Sequence, residues 1–258
     1  MPAVLFEIKD SVGFITLNRP DKLNSFNREM ALMLQKKLDE CAANKSVRAV
    51  YLTGAGKGFS AGQDLAEATD PNGPGLKRIL SEQFNPVINK IRSLEKPVVA
   101  AVNGVAAGAG ANIALCCDIV VASNSASFIQ AFSKIGLIPD SGGTYILPRL
   151  IGWQKASALM MLGDKINAEE AERMGMLYKV FASETFMEES IKIAVALSKM
   201  PTKGLALTKQ ALNRSVLNNM DQQLNVEDEL QTIAGGTYDY NEGVSAFMQK
   251  RMPEFRGE

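Results

Sequence analysis

The chain contains no histidine. Proton transfer near neutral pH must therefore fall to a carboxylate, a cysteine, a lysine or a tyrosine. A Ser-His-Asp triad is excluded outright. An excess of charge of one sign is also missing: 28 Lys and Arg balance 28 Asp and Glu. With no dense basic run, nucleic acid is not expected as the main partner. No apolar stretch reaches the roughly 20 residues of a membrane span; Val98–Val102 and Ala111–Cys116 are short, and Asn103 and Gly104 break the sequence between them. Met1–Asp10 carries acidic residues and no basic leader region, so it does not read as a signal peptide. Cysteine is scarce: Cys41, Cys116 and Cys117, with no CxxC. That pattern fits reduced, buried thiols in a cytoplasmic compartment, and zinc would lack ligands.

Several nucleotide and hydrolase signatures are absent too. Gly54-Ala55-Gly56-Lys57 lacks P-loop spacing, and there is no GxSxG elbow. Gly108-Ala109-Gly110 follows a predicted strand, but Ile113 stands where a dinucleotide fingerprint has its third glycine.

What is present is 258 residues, 46% of them hydrophobic, enough for one large core or one domain with an appendage. Val4–Ile8 and Val12–Leu17 read as a hairpin, and Asn27 as the cap of a helix running to about Cys41. Val47–Leu52, Val98–Val102 and Ile119–Ala122 read as buried strands. Leu76–Leu94 and the small-residue stretch Ala106–Cys116 read as helices. This alternation predicts an α/β fold with mainly parallel strands. After about Leu150 the pattern becomes helical, with stretches at Trp153–Leu162, Ala168–Met174, Glu184–Ser198, Thr202–Leu217, Asp221–Ile233 and Asn241–Lys250. The expected division is an α/β core over 1–195 and a helical C-terminal region over 196–258.

Three loops carry the chemistry. Gly58-Phe59-Ser60-Ala61-Gly62-Gln63-Asp64-Leu65 and Asn103–Asn112 each follow a predicted strand, where ligands collect in α/β sheets. Their small residues let a ligand approach the backbone, and one N–H from each makes an oxyanion hole. The third loop, Gly136-Leu137-Ile138-Pro139-Asp140-Ser141-Gly142-Gly143, holds a carboxylate in apolar company. In a dry pocket its pKa rises, which suits it to taking and returning a proton. Pro-Asp-Ser-Gly is also ordinary turn vocabulary, and a stripe of small residues also serves close helix–sheet packing. Phe59 reads as core. Ser141 reads either as a partner of Asp140 or as a helix cap.

Taken together, Leu17–Phe26, Gly58–Leu65, Lys96–Gly104 and Gly136–Thr144 resemble the crotonase (enoyl-CoA hydratase/isomerase) superfamily, over nearly the whole chain. The resemblance implies a crotonase-like spiral of ββα units with a helical C-terminal trimerisation region, and trimers that often pair into hexamers. It implies acyl-CoA substrates and no metal or organic cofactor, coenzyme A being part of the substrate. The two oxyanion N–H groups fall on Gln63 and Ala109. The two glutamates with which hydratases of the family handle water fall on Asn112 and Phe132, which puts water addition in doubt. Asp140 occupies a position where several isomerases of the family keep an acid, so the resemblance implies an isomerase with Asp140 as the proton-transfer residue. Asn112 then either orients substrate or fills space. Asn24, Ser25, Phe26, Ala61, Gly62, Asp64 and Leu65 are expected along the coenzyme A, and Lys250 with Arg251 at its phosphates across a subunit interface. Asn103–Arg149 is most similar to the subfamily that isomerises ring-1,2-epoxyphenylacetyl-CoA to oxepin-CoA in phenylacetate catabolism. Double-bond shift in an enoyl-CoA is the related activity. The alternatives are an enoyl-CoA hydratase, with water held by Asn112 and Asp140, and an acyl-CoA-binding protein without turnover.

Overall fold

The computed structural model describes all 258 residues. In chain order the elements are β1 (Val4–Lys9), β2 (Val12–Leu17), α1 (Arg28–Ala43), β3 (Ala49–Gly54), β4 (Gly58–Ser60), α2 (Leu65–Ala68), α3 (Gly75–Arg78), α4 (Asn85–Ser93), β5 (Val98–Val102), β6 (Val105–Ala107), α5 (Ala109–Leu115), β7 (Ile119–Ser123) and β8 (Ser127–Ile129). There follow α6 (Gly143–Ile151), α7 (Trp153–Leu162), β9 (Lys165–Asn167), α8 (Ala168–Arg173), β10 (Lys179–Phe181), α9 (Phe186–Ser198), α10 (Thr202–Ser215), α11 (Met220–Gly235) and α12 (Tyr238–Gln249).

Two sheets result, one in the order β1-β2-β3-β5-β7-β10 and one in the order β4-β6-β8-β9. β1 and β2 form the expected antiparallel hairpin, and the other pairings of the larger sheet are parallel. Three times the chain lays a strand in the large sheet, turns, adds a three-residue strand to the small sheet and then enters helical structure. This repeat is the ββα spiral. It brings the turns after β4 and β6 side by side, because those two strands pair.

Along β3, Val50 and Leu52 face the main core, whereas Ala49 and Tyr51 face a second cluster with Phe186 and Ala194 of α9. β5 alternates in the same way, Val98, Ala100 and Val102 against Val99 and Ala101. The large sheet is covered on both faces, as parallel sheets require. The helical stretch expected after Leu150 needs correction, because β9 and β10 lie within it and complete the two sheets. The expected helix at Ala106–Cys116 is also shorter: its first residues form β6, and α5 starts at Ala109. The 195/196 division falls inside α9, which runs on to Ser198. All three cysteines are buried free thiols. Burial pushes Cys41 and Cys116 up to about 12, and Cys117 well above its ordinary range.

Helices α10 and α11 share a small core of Leu207, Val226 and Leu230. Lys209 ties them to the body. Its buried ammonium donates to the Ile91 carbonyl (2.7 Å), the Lys96 carbonyl (3.3 Å) and Asp118 Oδ2 (2.7 Å). Arg92 pairs with Asn213 and lies 3.5 Å from Asp118 Oδ1. Lys209→Met is expected to cost about 2–3 kcal/mol in denaturant unfolding. This is less than stripping a buried ion pair completely, because Arg92 and the Val98 N–H still hold Asp118.

Gly75–Ser93 is helical throughout, as expected, but a π-turn at Ile79–Phe84 interrupts α3 and α4. Gln83 sits in that turn, fully buried, with neither carboxamide atom hydrogen-bonded. Its neighbours Ile79, Phe84 and Val87 belong to the core. Gln83→Leu, nearly isosteric and apolar, is expected to raise the unfolding free energy by about 1–2 kcal/mol, read as a higher thermal midpoint.

Candidate active site

The first wall of the site is a backbone junction. Phe26 and Gln63 form a short parallel bridge: the Phe26 N–H donates to the Gly62 carbonyl (2.7 Å), and the Asp64 N–H to the Phe26 carbonyl (2.8 Å). The Gln63 N–H takes no part and is left for another acceptor. Gly62 permits the junction. At φ +89° it holds a conformation that side chains resist, and a Cβ there would lie 2.8 Å from the Ala107 oxygen and 3.3 Å from the Ala109 nitrogen. The backbone at 62–63 therefore lies directly against 107–109. Ala109 opens α5, where the first N–H has no acceptor within the helix. Gly108 and Gly110 let the chain turn and press close, the latter against Ser60.

The second wall carries Asp140. Asn112, one turn along α5 from Ala109, donates from Nδ2 to the Asp140 carbonyl at 2.8 Å. The Gly143 N–H donates to the same carbonyl at 2.9 Å. Ser141 and Gly142 both take positive φ, which makes the turn sharp. A Cβ at Gly143 would fall 2.3 Å from Asn112 Nδ2, so glycine is needed for the Asn112 side chain to reach the turn. The Asp140 carboxyl accepts from Ser141 Oγ at 2.9 Å, so Ser141 is its partner; the helix cap is Gly142 instead. Burial raises the Asp140 carboxyl above the ordinary carboxylate range, and the Ser141 hydroxyl opposes the rise only in part. The Phe132 ring lies 3.7 Å from a Cβ built on Gly108, so an apolar face stands at the second position implied for a water-handling glutamate.

Within the protein, Asn112 links Gln130 to the Asp140 turn. Its Oδ1 accepts from Gln130 Nε2 at 2.8 Å and its Nδ2 holds the Asp140 turn. Sequence reasoning missed Gln130, whose only mark was its place within Asn103–Arg149.

The expected coenzyme A residues divide into two groups. Asn24 is wholly buried and its side chain is committed to the Arg19 N–H and to the Ala55 and Gly58 carbonyls. Phe26 is packed against Phe84, ring centroids 5.8 Å apart. Asp64 caps α2 through the Ala66 N–H and pairs with Arg19 at 2.9 Å, and Arg19 also donates to the Ser25 carbonyl. The backbone N–H and C=O groups of Asn24–Phe26 are spent on internal hydrogen bonds, and of these loop residues Leu65 alone is exposed. Arg19 is a support that sequence reasoning left unassigned. Phe59 is core, as expected. Lys250 is exposed at the end of α12 and makes no hydrogen bond or ion pair with these loops; neighbouring Arg251 is paired with Glu242.

A spiral of ββα units, two unbonded backbone N–H groups on adjoining turns and a half-buried carboxyl define a class, and comparison with known proteins agrees. The sequence profile described as enoyl-CoA hydratase/isomerase matches residues 7–258. The chain belongs to that family, the crotonase family. It is 46% identical to the 1,2-epoxyphenylacetyl-CoA isomerase of Escherichia coli over the full length of both chains. It is 41% identical to a probable enoyl-CoA hydratase of Rhodobacter capsulatus over 98% of each. An enoyl-CoA hydratase structure from Bacillus anthracis superposes with a TM-score of 0.93 at 31% identity, covering 99% of this chain and 100% of that one.

Proposed function

We propose that this protein is an acyl-CoA isomerase in which Asp140 moves a proton within the acyl group. One observation carries the reading: Asp140, whose carboxyl is pushed up chiefly by burial, sits in a turn whose main-chain carbonyl is held by Asn112, a residue one helical turn along α5 from Ala109. The Gln63 and Ala109 N–H groups hold the thioester oxygen. Asp140 removes a proton from an acyl carbon and the electron pair moves onto that oxygen, giving an enolate. As the pair returns, the double bond shifts and Asp140 delivers the same proton two carbons away. No water enters and nothing leaves. With Asn112 and Phe132 at the positions implied for glutamates, nothing else in this wall is suited to activating water.

The substrates that fit this reading are 1,2-epoxyphenylacetyl-CoA, isomerised to oxepin-CoA, and 3-enoyl-CoA thioesters whose double bond is shifted. Coenzyme A enters as part of the substrate, past the loops 24–26 and 61–65, and no separate cofactor is assigned. The assembly is a cytoplasmic homotrimer or dimer of trimers, joined through the C-terminal helices, where Leu217, Met220, Phe247 and Met248 are exposed. In the trimer a neighbour's Lys250 reaches the coenzyme A phosphates. No helix is long and apolar enough to cross a membrane.

The test is incubation with both thioesters in heavy-oxygen water, followed by mass and ultraviolet spectra. The expected product has the mass of its substrate and a changed spectrum. Gain of one labelled water would replace the isomerase with a hydratase. Tight binding with no spectral change and no exchange of α-protons would make it a binding protein.

A further inference from the structure

The two oxygens of the Asp140 carboxyl are treated differently. Oδ1 accepts from Ser141 Oγ at 2.9 Å, whereas Oδ2 makes no hydrogen bond and is open to solvent. No ion pair holds the carboxyl from elsewhere. Arg92 of α4 is engaged at the Cys116 carbonyl and Asp118. Arg149 of α6 donates to the Tyr145 carbonyl and stacks on that ring, and the Lys134 side chain lies against Gly163. Asn112 and Gln130 carry no charge, and burial keeps the Cys116 thiol protonated. Ser141 alone bonds the carboxyl.

The turn itself does not call for a serine. The Gly143 N–H closes it on the Asp140 carbonyl at 2.9 Å, with φ +51° at Ser141 and +75° at Gly142. Turns with positive φ at both central residues favour glycine and asparagine, and a serine there is strained. Ser141 is nonetheless only 2% exposed, and the one hydrogen bond its side chain makes goes to the carboxyl. The turn is held without that hydroxyl. Asn112 Nδ2 and the Gly143 N–H bond the Asp140 carbonyl, and the Cys116 thiol bonds the Ser141 main-chain carbonyl.

We propose that Ser141 is a positioning residue: its hydroxyl holds Oδ1 and so presents Oδ2 as the oxygen that takes the proton from one acyl carbon and returns it to another. The assignment rests on the isomerase reading for what Asp140 does. A C–H bond breaks as the Oδ2–H bond forms, its electron pair passing to the thioester oxygen, and the return step reverses this at the second carbon. Oδ1 keeps the Ser141 hydrogen bond throughout, since a protonated carboxyl still accepts there. A donor on the carboxylate also favours its ionised form, the form that accepts a proton, in a setting where burial opposes ionisation.

The test is Ser141→Ala in the full-length protein, with Ser141→Gly as a second variant that takes positive φ without strain. Turnover of a 3-enoyl- or epoxyphenylacetyl-CoA is expected to fall by about tenfold in kcat, with KM within about twofold. The acid limb of the kcat/KM profile should move to higher pH. On an Asp140→Asn background the same change should alter residual turnover by less than about twofold, because the two groups act as a unit. The Asp140 carboxyl, followed by NMR in protein made with isotope-labelled aspartate and identified by its absence in Asp140→Asn, should titrate at higher pH in both serine variants. A fall in rate with the acid limb and the carboxyl titration both unmoved would overturn the proposal, as would a loss that persists on the Asp140→Asn background. A moved titration in a protein that turns over no acyl-CoA would keep the hold of Ser141 on the carboxyl and remove the isomerase reading.

Discussion

Asp140→Asn is expected to lower turnover of an epoxyphenylacetyl- or 3-enoyl-CoA by about 10²–10⁴-fold, the usual worth of a positioned general acid–base. Binding of the thioester should change little, because the substitution is isosteric and the Asp140 main chain, not its carboxyl, anchors the turn. With no histidine in the chain, the acid limb of the rate profile belongs to this carboxyl. Its raised pKa places the limb above the ordinary carboxylate range, since only the ionised form accepts a proton. The effect on stability has a definite sign. The folded state holds the Asp140 proton more tightly than the unfolded state does. Asp140's contribution is therefore fully present below its unfolded pKa and is lost as pH rises through the folded one. The variant's thermal midpoint should gain on the wild type between acid and neutral pH. A variant that keeps near wild-type turnover would remove Asp140 from the chemistry.

Gly62→Ala is expected to lower kcat by about 10²–10³-fold, comparable with deleting an oxyanion-hole donor. The added methyl meets the Ala107 oxygen at 2.8 Å and the Ala109 nitrogen at 3.3 Å, so the two N–H groups must move apart. It also imposes a positive φ on a residue with a side chain, costing about 1–3 kcal/mol of stability. Gly75→Ala separates the two effects. That glycine also has positive φ, but nothing lies within 4 Å of its Cβ position. Its alanine variant should melt earlier yet retain turnover. If Gly62→Ala behaves like Gly75→Ala, the backbone junction is not where substrate charge is held.

The sequence made the hairpin, α1 with its Asn27 cap, the buried strands β3, β5 and β7 and the helices after Thr202 legible, because each has a clear hydrophobic period or a cap. The small sheet was not legible. Its strands have three residues each, too few for a period, and β6 is built of Val105-Ala106-Ala107, which continues into the helical composition of α5. The loops of the site were legible as motifs, but their contacts were not. That Gly143 must lack a side chain to admit Asn112, or that Gln130 reaches Asn112 across 18 positions, follows only from how β8, α5 and the Asp140 turn meet. Asn24 and Asp64 hold their loop together, a role that the pattern alone does not distinguish from ligand contact.

The buried thiols bear on life among activated thioesters. A thiolate exposed to acyl-CoA can capture the acyl group, and one exposed to free coenzyme A can form a mixed disulfide. Here all three thiols stay protonated at cellular pH, Cys116 among them, whose Sγ–H points to the Ser141 carbonyl beside the Asp140 turn. Burial and a raised pKa thus keep all three thiols from either reaction.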